Sequence, residues 1–145
     1  MITLVVGPPD SGKTAWLERT AANLPHAGGI LLRKQFDEQS GDVSGYDAVS
    51  IADKTVCPLV RRRGCEPSGW DPVDRIGPYS FSGAGFAFCR RILLRDLVSG
   101  ATPVILDEVG PLELEGRGFA LIFEQLLQSG PDLLVAVRSA CVDDV

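Results

Sequence analysis

The chain has 145 residues, a formal charge of -5 and an isoelectric point near 4.8, with 45% hydrophobic and 23% charged residues. This composition excludes a disordered or fibrous chain, and the length suits one compact domain, residues 1–145, around a single core. The acidic balance argues against nucleic acid as a partner, because the surface as a whole repels a phosphate backbone.

In chain order, the first apolar run, residues 2–6, is too short for a signal h-region or a membrane span, so the chain reads as cytoplasmic and without membrane contact. It is apolar throughout rather than alternating, which predicts a parallel strand covered on both faces. Residues 104–106 and 133–137 predict the same, and residues 30–32 are a fourth candidate. Directly after the first strand, Gly7, Pro8, Pro9, Asp10, Ser11, Gly12, Lys13 and Thr14 match GxxxxGK[ST], the Walker A pattern. The motif opens a predicted helix over residues 12–24, which Pro25 stops. Glycines let the backbone curl so that successive amides point at phosphate oxygens, and the helix N-terminus adds its positive end. Lys13 then reaches the β and γ phosphates of a nucleotide, and Thr14 supplies a hydroxyl for Mg²⁺. Trp16, on the same helix, reads as core.

The middle of the chain has a different rhythm. Val49 and Ile51 alternate with polar or small neighbours, Asp53-Lys54 can turn, and residues 56–60 can return, so a β-hairpin is inserted into the frame. Residues 61–74, rich in Gly and Pro and without periodicity, predict a loop. Trp70 within it is either a platform for a base or a cover for apolar surface. A second helix is predicted over residues 83–99, with Ser82 as N-cap and Gly100 as terminator. The third carries Phe119, Ile122, Phe123, Leu126 and Leu127 at helical spacing, before Ser129-Gly130-Pro131. Cys57, Cys65, Cys89 and Cys141 form no CxxC pair and the one histidine, His26, lies near none of them, so they read as reduced thiols rather than zinc ligands.

Between the last two helices, Val104-Ile105-Leu106-Asp107-Glu108 is an apolar strand ending in two carboxylates, a Walker B arrangement. In a parallel sheet both emerge at the carboxyl edge, where ligands bind. Side chains alternate along a strand, so the two carboxylates have separate jobs unless the backbone turns there. Asp107 is assigned to Mg²⁺, and Glu108 to orienting and deprotonating the water that attacks the γ phosphate. A cation at the developing charge accelerates phosphoryl transfer. Arg138, directly after the last apolar strand, and Arg75 are candidates for it, against a solvated or structural role.

Four segments carry a family resemblance: GPPDSGKT at residues 7–14, GYDAVSIADKTVCPLVRR at 45–62, RIGPY at 75–79 and VILDEVGPLEL at 104–114. With these the chain resembles the small cancer-related nucleoside-triphosphatase family of P-loop proteins. Residues 31–44 depart from the pattern, and familiar members continue further than Val145, so the chain reads as a short or C-terminally truncated member. The resemblance implies a RecA-like core and slow, Mg²⁺-dependent hydrolysis of ATP, GTP and other nucleoside triphosphates to the diphosphate and phosphate. The expected fold is therefore a three-layer α/β P-loop NTPase, with a mostly parallel central sheet, helices on both faces and the inserted hairpin. Two other uses of the same motifs stay open: a kinase for a small acceptor, and a nucleotide-dependent switch or assembly factor whose protein partner the sequence does not name.

Overall fold

The computed structural model describes residues 1–8, 12–109 and 120–138, except for the side chains of residues 108, 109 and 138. In chain order the elements are β1 (Ile2–Gly7), α1 (Lys13–Ala22), β2 (Gly28–Phe36), β3 (Val43–Ser50), β4 (Val56–Arg62), β5 (Pro72–Ile76), β6 (Tyr79–Ser82), α2 (Gly83–Val98), β7 (Val104–Val109), α3 (Ala120–Ser129) and β8 (Leu133–Arg138). The strands form one sheet in the order β1-β8-β7-β2-β3-β4-β6-β5.

The sheet is mixed rather than mostly parallel. β1, β8, β7 and β2 run parallel to their neighbours, whereas every pairing from β2 outward to β5 is antiparallel. The inserted hairpin causes this. β2 pairs with β7 only over Gly28, Gly29 and Ile30, then runs on as the partner of β3. Strands joined by short turns must run antiparallel. Residues 61–74, expected as one loop, hold the end of β4 and the start of β5, and β5 with β6 makes a further hairpin. Pro72 is tolerated because β5 is the outermost strand, where a missing donor breaks no ladder bond.

Helices cover both faces, as alternation along each strand requires. On one face Leu17 of α1 packs with Leu31, Ile51, Ile105, Leu134 and Ala136. On the other, α2 and α3 bury Phe86, Cys89, Leu93, Ile122 and Leu126 against Ile30, Val104, Val135 and their neighbours. Burial pushes the Cys89 thiol up to about 12, so it stays protonated. The sequence predicts β1 covered on both faces, but among the described residues it is an edge strand, and Ile2, Leu4 and Val6 are half-exposed on the face opposite α1.

Two polar anchors join helix to sheet. Buried Asp96 of α2 accepts from the Gly29 amide at 2.8 Å. Gly29 has φ 105°, and a Cβ there would lie 2.0 Å from the Ile105 carbonyl oxygen, so only glycine lets β2 approach β7 this closely. At the other end of α2, Ser82 Oγ accepts from the Gly85 amide at 3.1 Å and donates to Asp71 at 2.9 Å, while Asp71 also accepts from the Ala84 amide. Ser82→Ala is therefore expected to lower stability by about 1 kcal/mol, the usual effect of losing an N-cap. Urea unfolding should show an earlier midpoint with the same slope; an unchanged midpoint would mean that Asp71 caps the helix alone.

Candidate active site

The described part of the motif spans the end of β1, Gly7 and Pro8, and the start of α1, Gly12 to Thr14. Gly12 stands at the N-cap of α1 with φ 89° and supplies no side-chain cap. No acidic residue lies in the first turn. The positive end of the helix and its first amides therefore have no protein carboxylate in that turn to neutralise them, the condition for holding an anion. Lys13 is 7% exposed, and its ammonium donates to the carbonyls of Gly7 at 2.7 Å and Pro8 at 2.9 Å. It is thus folded back along the start of the loop. Residues Pro9, Asp10 and Ser11, which the motif assigns to the phosphate cradle, lie outside the described residues.

Thr14 and Asp107 are 93 positions apart in sequence, yet the Thr14 hydroxyl donates to Asp107 Oδ2 at 2.8 Å. The same oxygen accepts from the Leu32 amide at 3.0 Å. Asp107 is 1% exposed, and a carboxylate so buried is costly unless hydrogen bonds replace its water. Helix α1, β7 and β2 therefore meet at this one group. The Leu32 amide was not foreseen, because a backbone donor has no signature in the side-chain pattern.

A hydroxyl and a carboxylate side by side are hard oxygen donors, which suit Mg²⁺ together with water and phosphate oxygens. Among the described residues no group of three or more His, Cys, Asp or Glu side chains could hold a metal. The Thr14–Asp107 pair matches the usual habit of Mg²⁺, which takes one or two protein ligands and completes its shell from substrate and solvent.

The β7–β8 ladder shifts register between Leu106 and Val109, so the backbone is irregular across Asp107 and Glu108. Strict alternation, which would send two successive side chains to opposite faces, therefore does not hold across these two residues. Glu108 has its backbone here, and its side chain lies outside what is described. Arg138 ends β8 in register with Gly7, which puts its backbone beside the start of the motif; its side chain is likewise outside the description.

Arg75 is not brought to this site. It lies exposed on β5, five strand intervals from β7 or about 24 Å along the sheet. Trp70 is tied to the same distant hairpin, its indole N–H donating to Ser80 Oγ at 2.9 Å. Trp16, expected in the core, is 42% exposed on α1.

The NTPase family model matches residues 2–144. The chain belongs to this NTPase family. Hydrolysis of nucleoside triphosphates is accordingly its activity, and the loop-to-helix turn beside a strand-end carboxylate is the kind of site that activity needs. The solution structure of a human cancer-related nucleoside triphosphatase is similar in fold, with a TM-score of 0.66, 23% identity, and coverage of 98% of this chain and 81% of that one. No curated protein matches the sequence.

If Asp107 depends on its donors, Thr14→Val should lower stability by about 1–2 kcal/mol, whereas Thr14→Ser should stay close to wild type. Thermal unfolding of the two variants without nucleotide checks this; equal losses would contradict the role of the hydroxyl.

Proposed function

We propose that the NTPase binds its substrate with the triphosphate wrapped by Gly7, Pro8, Pro9, Asp10, Ser11, Gly12, Lys13 and Thr14, and hydrolyses it at the γ phosphorus. The observation that supports this reading most directly is the hydrogen bond from Thr14 to Asp107, which joins the helix start of one motif to the strand end of the other. Thr14 and Asp107 would hold Mg²⁺, which when bound screens the phosphate charge and makes the γ phosphorus easier to attack.

The rest of the chemistry falls to side chains. Lys13 exchanges its loop carbonyls for β and γ oxygens and neutralises charge as the bridging oxygen leaves. Glu108 orients a water and takes its proton. The bond from that water oxygen to phosphorus forms as the bond to the β–γ bridge breaks, giving the diphosphate and phosphate. Arg138, beside Gly7 by register, is a candidate cation for the same group. None of these contacts reads a base, in keeping with ATP, GTP and other nucleoside triphosphates as substrates.

We further place the enzyme in the cytoplasm, working as one domain over residues 1–145. Cys57, Cys65 and Cys89 are free thiols, which suits a reducing compartment. Among the described residues no helix is long and apolar enough to cross a membrane.

The test is phosphate release from ATP, GTP, CTP and UTP with Mg²⁺, with nucleotide binding followed in parallel. Glu108→Gln should bind nucleotide nearly as wild type while turnover falls about 10²-fold or more, the range of a lost general base. Lys13→Ala should lose binding and turnover together. Wild-type turnover by Glu108→Gln would remove its assigned role.

A further inference from the structure

Phosphoryl transfer spreads negative charge over the γ oxygens, and a guanidinium placed there is worth far more in the transition state than in the ground state. We propose that Arg33 is a catalytic residue of this NTPase, its guanidinium contacting the γ-phosphoryl group from the β2 side. The proposal rests on the nucleotide site described under the proposed function.

Three observations carry it. The first is the strand. β2 is the direct neighbour of β7, about 4.8 Å away, and Ile30 is in register with Leu106. The Leu32 amide already donates to Asp107, so Arg33 is the next residue up β2 at the carboxyl edge.

The second is the face. Leu31 packs in the cluster beneath α1, and Ile30 and Leu32 pack on the opposite side. The β2–β3 ladder is unbroken from Ile30 to Gln35, so alternation puts Arg33 on the α1 side. Asp107 is on that side too, because it bonds Thr14 of α1. Arg33, Asp107 and the motif thus share one face and one edge.

The third is charge. Arg33 is exposed, and among the described residues it makes no hydrogen bond or ion pair. The carboxylate opposite it across the ladder is Asp47, which Arg61 occupies at 2.7 Å. Arg62 and Arg95 are likewise committed, to Asp37 and to Asp53 with Asp96. A structural role for Arg33 through its natural partner is therefore already filled.

The experiment measures turnover, affinity for a non-hydrolysable ATP analogue, and affinity for ADP with aluminium fluoride, a mimic of the transferring phosphoryl group. For Arg33→Ala we expect kcat to fall about 10²-fold or more and the ADP–aluminium fluoride complex to weaken by a similar factor, with ATP-analogue affinity changed less than about threefold. Arg33→Lys should recover part of both losses. Thermal unfolding of Arg33→Ala should match wild type, since the side chain is exposed and unbonded. Unchanged kcat, or equal weakening of both complexes, overturns the proposal. Lys13→Ala, run alongside, separates the two levels: if it binds and hydrolyses ATP normally, the site itself is misplaced, whatever Arg33 does.

Discussion

One buried carboxylate oxygen joins three parts of the chain. Asp107 Oδ2 takes the hydroxyl of Thr14 from α1 and the amide of Leu32 from β2, while the residue itself begins the irregular part of β7. Removing a carboxylate from water is tolerable only with such donors, and they orient it as well as stabilise it. The fold supplies them by geometry. α1 must lie over β7 for Thr14 to arrive, which Leu17 secures by packing on Ile105 and Leu134. β2 must approach β7 closely, which Gly29 permits and Asp96 holds from the other side.

The same contacts explain the division of the sheet. On the β1 side of β2, parallel strands deliver the motif loop, Asp107, Glu108 and Arg138 to a common carboxyl edge, the place where open α/β sheets bind ligands. On the other side, antiparallel hairpins build outward and are closed by the caps of α2 at Ser82 and Asp71. Arg75 and Trp70 belong to that outer part, where Trp70 is bonded to Ser80. β2 belongs to both parts. Its first residues pair with β7 and its later ones with β3, so its middle, around Leu32 and Arg33, lies where the two parts meet.

The elements that could be read from the sequence are those whose signal is local. Eight consecutive residues match the phosphate-loop pattern, and uninterrupted apolar runs mark β1, β7 and β8, although only β7 and β8, with strands on either side, bury both faces. The helices among the described residues follow from their periodicity and punctuation. What could not be read depends on strand order. The exposed edge strand β5 needs few apolar residues and accepts Pro72, so it resembles a loop. Trp16 looks like core until β1 proves to be an edge strand among the described residues, and it is 42% exposed on α1. Arg75 lies on β5, and only the sheet order shows that it is remote from Asp107. Arg33 lies in a stretch with no motif, and its position emerges only from the register of β2 with β7 and β3.

In the proposed reaction a water molecule, rather than another acceptor, reaches the γ phosphorus. Hydrolysis of ATP in water enriched in ¹⁸O, followed by mass analysis of both products, tests it most directly. Each phosphate released in a single turnover is expected to carry one solvent oxygen, and the ADP none. Label in the ADP, or no phosphate formed until an alcohol or other acceptor is supplied, would contradict it.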